Sequence, residues 1–150
     1  MRKVQDINDL DYIKVIGKGG FAEVGLYSKK GKQVVVKKIR KRDSCQYHIN
    51  REVMAGETLC HKNIAKFHGH FEDEQSHYLA FERVKGLDLF KCLQSRNFEP
   101  FTEKESKKIF VQLANAVNYS HNKAVAHLDI KVTLRLFSSH ADLRLSWIIS

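Results

Sequence analysis

Proline is nearly absent from this chain, a single residue (Pro100) among 150, and with only eight glycines this excludes a collagen-like or Pro-rich linker sequence. Cysteine is scarce as well. Cys45, Cys60 and Cys92 are too few and too scattered for a disulfide framework, which points to a reducing, intracellular compartment. No apolar run approaches the roughly 18 residues of a membrane span. No apolar segment follows Arg2-Lys3, so a secretory leader is not expected. The expectation is a cytoplasmic protein, with the nucleus also open to it and no membrane partner. What is present is ordinary globular composition, 43% hydrophobic and 29% charged residues, which excludes a disordered or fibrous chain.

Lysine and arginine number 26 against 17 acidic residues, a net charge of +9. That balance permits anionic partners without selecting one. The basic residues are spread along the chain. Their densest cluster, Lys37-Lys38-Ile39-Arg40-Lys41-Arg42, reads as a solvated strand end and loop, so nucleic acid is not an expected partner.

Hydrophobic periodicity predicts three strands over 11–16, 21–27 and 33–39, joined by short turns as in an antiparallel meander. A helix is predicted over 45–60, where Ile49, Val53, Leu59 and Cys60 fall near one face. Two more strands follow near 65–72 and 77–83 around the acidic turn Glu72-Asp73-Glu74-Gln75, then a short helix from Leu87. Thr102-Glu103-Lys104-Glu105 is a capping box opening a helix over 103–122, with Phe110, Leu113, Ala114 and Val117 as its apolar stripe. Strands first and helices after make an α+β arrangement.

Two features between these elements carry chemistry. Gly17-Lys18-Gly19-Gly20-Phe21-Ala22-Glu23-Val24 lies between two strands. Glycines there let backbone N–H groups approach a phosphate, although a hairpin turn alone also uses glycine. Thirteen residues after Val24, Lys37 ends the apolar run Val34-Val35-Val36. A lysine at the end of a buried strand needs an acidic partner or an anionic ligand, and Glu52 on the following helix is the natural partner.

Together these motifs resemble the N-terminal part of a eukaryotic-type protein kinase. Gly17, Gly19 and Val24 fall in the G-x-G-x-x-G-x-V slots, Lys37 in the lysine slot of V-A-I-K, and Glu52 in that of its helix partner. Ala22 replaces the third glycine, and Val35 the alanine of V-A-I-K. His61-Lys62-Asn63-Ile64 resembles the H-x-N-I turn. Tyr78-Leu79-Ala80-Phe81-Glu82-Arg83-Val84 resembles the strand and hinge that hold adenine. Ala126-His127-Leu128-Asp129-Ile130-Lys131 resembles the catalytic loop, with Leu128 in the place of its arginine.

The resemblance implies a kinase-like N-lobe over 11–84, a five-stranded antiparallel sheet with one helix of the αC type, and a partial helical C-lobe over 85–131. It implies ATP as cofactor, held by Ile16, Gly17, Lys18, Gly19, Gly20, Val24, Val35, Lys37, Phe81, Glu82, Val84 and Asp88. Phe81 is the gatekeeper, backbone groups of Glu82 and Val84 meet the base, and Asp88 lies near the ribose. The implied catalytic set is Lys37 on the α/β-phosphates, Glu52 holding it, Asp129 orienting a protein hydroxyl and Lys131 neutralising the transferring phosphate. A lysine at 131 is the serine/threonine pattern.

The resemblance ends after Lys131. Leu134 stands where the family's metal-binding asparagine belongs, and no Asp-Phe-Gly follows within the 150 residues. Mg²⁺ is expected for the family, yet its protein ligands are missing, so no metal-binding residue is assigned. Residues 132–150 form a divergent or aberrant tail. The abrupt loss of resemblance favours an alternative or frame-shifted end. Alternation at Val132, Leu134, Leu136 and at Leu143, Leu145, Trp147, Ile149 allows a folded hairpin instead. Two functions follow: a serine/threonine kinase by family, of low or no activity in this chain, or an inactive fragment that binds nucleotide weakly or docks on a protein. Zinc at Cys60-His61 or His68-Gly69-His70 fits no ligand spacing, and His121, His127 and Asp129 lack a nucleophile to activate.

Overall fold

A computed structural model describes residues 6–20, 22–128 and 130, together with the strands at 135–137 and 142–144. The chain divides into two compact units. The first contains Met1–Thr58 and Lys66–Arg83, the second Leu59–Ala65 and Val84–Ile149.

The first unit is a five-stranded antiparallel sheet with spatial order β1-β2-β3-β5-β4. Its strands are β1 (Asp11–Lys18), β2 (Ala22–Lys29), β3 (Lys32–Arg40), β4 (Phe67–Glu72) and β5 (Ser76–Glu82). The β2–β3 hairpin turns on Lys30 and Gly31, both at positive φ, as a two-residue turn of matching twist requires. At the β4–β5 turn, Asp73 Oδ1 accepts the N–H groups of Gln75 and Ser76, and Tyr78 Oη donates to Asp73 Oδ2 at 2.7 Å. Burial and that bond push the Tyr78 hydroxyl up to about 12.

Alternation along β3 sends its side chains to two different covers. Val34 and Val36 join Leu10, Phe71, Tyr78 and Ala80 in one apolar cluster. Val35, Lys37 and Ile39 lie on the opposite face, in register with Phe81, Leu79 and His77 of β5. That second face carries helix α1 (Gln46–Thr58). The helix can come close because Gly56 has no side chain: a Cβ there would stand 2.6 Å from the ring of Phe67. The helix ends two residues before the expected 60. Leu59 leaves it and packs in the other unit with Ile64 and Ala116.

The second unit is mainly helical, with α2 (Leu89–Ser95) and α3 (Glu103–His121). Thr102 and Glu105 form the capping box in full, and Arg96 donates to Glu105 Oε1 at 2.9 Å. These bonds hold the Glu105 carboxyl down at about 2. Ile109, Leu113 and Ala116 line the buried side of α3. This corrects the predicted stripe: Phe110 and Ala114 are exposed. A short antiparallel pair, β6 (Arg135–Phe137) and β7 (Asp142–Arg144), follows in the tail.

Candidate functional site

Lys37 is the centre of the first unit's chemistry. It is 4% exposed, and its Nζ lies 2.7 Å from Glu52 Oε1. Strand β3 fixes the lysine by register against Val24 of β2 and Leu79 of β5. Helix α1, seated through Gly56, brings the glutamate. Desolvating two charges costs several kcal/mol per ion, so such a pair is weak evidence for a stability role. Glu52 Oε2 is buried and has no hydrogen-bond partner among the described residues.

The glycine loop spans the ends of β1 and β2. Gly17 pairs with Val24, and the Gly19 N–H donates to the Ala22 carbonyl at 2.8 Å, closing the turn. None of the loop glycines takes a positive φ. A Cβ at Gly17 or Gly19 would meet only ordinary contacts at 3.6 and 3.7 Å, and at Gly20 nothing within 4 Å. Neither the local backbone nor local packing demands glycine here. A bare strip of backbone beside a buried cation suits the close approach of an anionic group. Ile16 and Val24 are half-buried beside it, while Lys18 is exposed. Phe21 lies outside the described residues.

Val35 and Phe81 are buried, and the two are cross-strand partners. The Glu82 N–H donates to the Lys66 carbonyl at 2.7 Å. In the second unit Val84 is buried, and Asp88 is the N-cap of α2, accepting the Lys91 N–H at 2.8 Å. His127 is buried. Leu128 beside it is 85% exposed at φ 62, a left-handed conformation that is strained for a branched side chain. Asp129, Lys131 and Leu134 lie outside the described residues.

A separate cavity of about 210 Å³ is lined by Lys18, Gly19, Gly20, Ala22, Glu23, Lys38 and Arg40. Lys38 and Lys37 alternate on β3, so this hollow opens on the sheet face opposite the Lys37–Glu52 pair. No group of three or more metal-ligating side chains occurs among the described residues.

One polar cluster escaped the sequence reading. His70 meets His77 across the β4–β5 hairpin, Nε2 to Nδ1 at 3.3 Å. The available signal was diagonal cross-strand reach on either side of a tight turn.

The Protein kinase domain model matches residues 10–146, past Lys131 where the motif resemblance ends. This chain belongs to the protein kinase family. It is 36% identical over 139 residues to an Aurora kinase of Schizosaccharomyces pombe, covering 89% of this chain and 39% of that protein. It is 35% identical to a probable myosin light chain kinase of Dictyostelium discoideum, covering 91% of this chain and 44% of that one. A probable serine/threonine-protein kinase of the same organism is 30% identical over 145 residues, covering 91% and 24%. The crystal structure of Rad53 residues 1–466 in complex with AMP-PNP is similar in fold, with a TM-score of 0.84 at 27% identity. It covers 92% of this chain and 38% of that one. The chain spans less than half the length of these relatives.

Proposed function

We propose that this chain binds ATP through its first unit and descends from serine/threonine kinases, with little or no phosphoryl transfer of its own. The observation that carries the reading is the buried Lys37–Glu52 pair at 2.7 Å beside a glycine loop whose glycines the fold does not itself require. Lys37 would neutralise the α/β-phosphates, the loop N–H groups would hold their oxygens, and Val35 with Phe81 would form an apolar wall for the base. The Rad53 relative with bound AMP-PNP supports ATP as the nucleotide.

Transfer needs more. Bound Mg²⁺ would supply charge neutralisation on the transferring phosphate. Within these 150 residues Leu134 stands in the asparagine slot and no Asp-Phe-Gly occurs, so the family's ligands for that ion are missing from this stretch. Asp129 and Lys131 carry the roles of orienting a protein hydroxyl and assisting the phosphate. An intracellular, cytoplasmic setting accompanies the reading, since Cys45, Cys60 and Cys92 are free thiols.

The test is calorimetric titration with ATP, with and without Mg²⁺, on the chain and on Lys37→Met. Losing a charge-assisted bond of about 1.5–3 kcal/mol should weaken ATP roughly tenfold or more. Leaving Glu52 buried and unpaired should also lower the melting temperature. Equal ATP affinity in both proteins would sink the reading. Binding that ignores Mg²⁺ favours the inactive, docking form; binding that needs Mg²⁺, with phosphate transfer lost in Asp129→Asn, favours an active kinase.

A further inference from the structure

The hollow on the sheet face opposite the Lys37–Glu52 pair lies outside the nucleotide reading and stands on its own observations. Its lining carries three cations, Lys18, Lys38 and Arg40, against one carboxylate, Glu23. Strand register gathers them. Lys18 is opposite Glu23 across β1 and β2, Glu23 is opposite Lys38 across β2 and β3, and Lys38 is opposite Tyr78 of β5. Arg40 follows two residues after Lys38 and shares its face.

These charges are not all spent on one another. Lys18 Nζ is 4.0 Å from Glu23 Oε2, the outer limit of an ion pair. Arg40 meets Asp43 Oδ2 through Nε at 2.6 Å, and a guanidinium has four further N–H donors on its terminal nitrogens. Lys38 forms no ion pair among the described residues. Its Nζ lies 5.7 Å from the centre of the Tyr78 ring. That ring is a fixed surface: it stacks on Phe71 at 5.2 Å, and its hydroxyl donates to Asp73. Asp73 feels Lys38 through space but spends its oxygens on Gln75, Ser76 and Tyr78.

A positive surplus in a hollow walled by protein focuses its field on an anion. The glycine loop adds bare backbone to the wall: Gly19 and Gly20 line it, and a Cβ at Gly20 would meet nothing within 4 Å. Size narrows the ligand. A volume of about 210 Å³ falls short of the roughly 300–1,000 Å³ of sites for drug-sized molecules, so one compact anionic group fits and a whole nucleotide does not. A run of phosphates is disfavoured as well, because the next cations along the chain, Lys41 and Arg42, already face Glu72 and Asp43. The planar fork of an arginine beside the point charge of a lysine suits the oxygens of one phosphate.

We propose that this hollow binds a single phosphate group, as the free ion or as the monoester of a peptide side chain. Lys38 and Arg40 are its main partners, Lys18 stands at the rim, and Glu23 opposes it.

The experiment is a titration of the full chain with inorganic phosphate, followed by amide NMR at an ionic strength held constant with chloride. Saturable shifts are expected at Gly19, Gly20, Lys38 and Arg40, with Glu52 and Phe81 unmoved. Lys38→Gln and Arg40→Gln should each weaken binding about fivefold, the upper range for one exposed ion pair. Glu23→Gln removes the one carboxylate of the lining and should tighten binding by a similar factor. Should Lys38→Gln disturb the sheet through Tyr78, the other two variants decide. A phosphoserine peptide then identifies the source. Binding tighter than that of inorganic phosphate assigns a peptide ligand, and equal or weaker binding assigns the free ion; either supports the site. Shifts that chloride alone reproduces, shifts confined to Glu52 and Phe81, or unchanged affinity in Arg40→Gln would each overturn it. So would weaker binding in Glu23→Gln, or a short oligonucleotide that binds this face more tightly than either phosphate probe.

Discussion

In the sheet unit, β3 buries Val34, Val35, Val36 and Lys37 in succession, because one set of side chains meets the Leu10–Phe71–Tyr78 cluster and the other meets the face under α1. In the helical unit, α3 is 19 residues long, yet it buries only Ala116 and Ser120 outright and leaves Phe110 68% exposed. A sheet covered on both faces gives nearly every strand position a fixed neighbour. A helix with one covered side leaves its other positions free to vary. Chemistry that depends on a placed cation is better held by the first arrangement, and that is where Lys37 stands.

Three substitutions would break or sharpen this contrast. The largest effect is expected at Leu79, which is fully buried at the centre of β5. Leu79→Ala should cost about 2–5 kcal/mol in chemical denaturation; a loss under about 1 kcal/mol would mean the sheet core collapses around the hole. Gly56→Ala comes next and sets two effects against each other. Alanine favours a helix by about 1 kcal/mol over glycine, but the added Cβ would press on the Phe67 ring. Overpacking of this kind costs about 1–3 kcal/mol, so a melting temperature below that of the parent chain is expected, with weaker ATP binding as Glu52 shifts. A more stable variant would show that α1 is not seated at this point. The smallest effect is expected at Phe110, where Phe110→Ser should change stability by less than about 0.5 kcal/mol. A large loss there would reveal cover over α3 that the described residues do not show.

Much of this fold could be read from the sequence, for identifiable reasons. β3 announces itself as a β-branched run, the Lys30-Gly31 turn as a glycine between strands, and α3 as a capping box. The Lys37–Glu52 pairing was legible because a lysine ending a buried strand needs an acidic partner or an anionic ligand, and Glu52 lies on the next helix, α1. The rotation of α3 was not legible: Phe110 and Ile109 are adjacent apolar residues, and periodicity alone does not choose which faces the core formed by Leu59 and Ile64. The histidine pair went unread because it is a diagonal contact across the β4–β5 turn: His70 is in register with Leu79, and Glu72 with His77.

The seven residues Leu59–Ala65 belong to the second unit although α1 and β4, which flank them in the chain, belong to the first. Neither unit is therefore a continuous stretch of polypeptide. During synthesis Leu59 and Ile64 leave the ribosome well before Ala116, the residue they pack against. At about 5–20 residues per second that interval is roughly 3–10 s. For that time a short apolar segment waits uncovered between helix and strand.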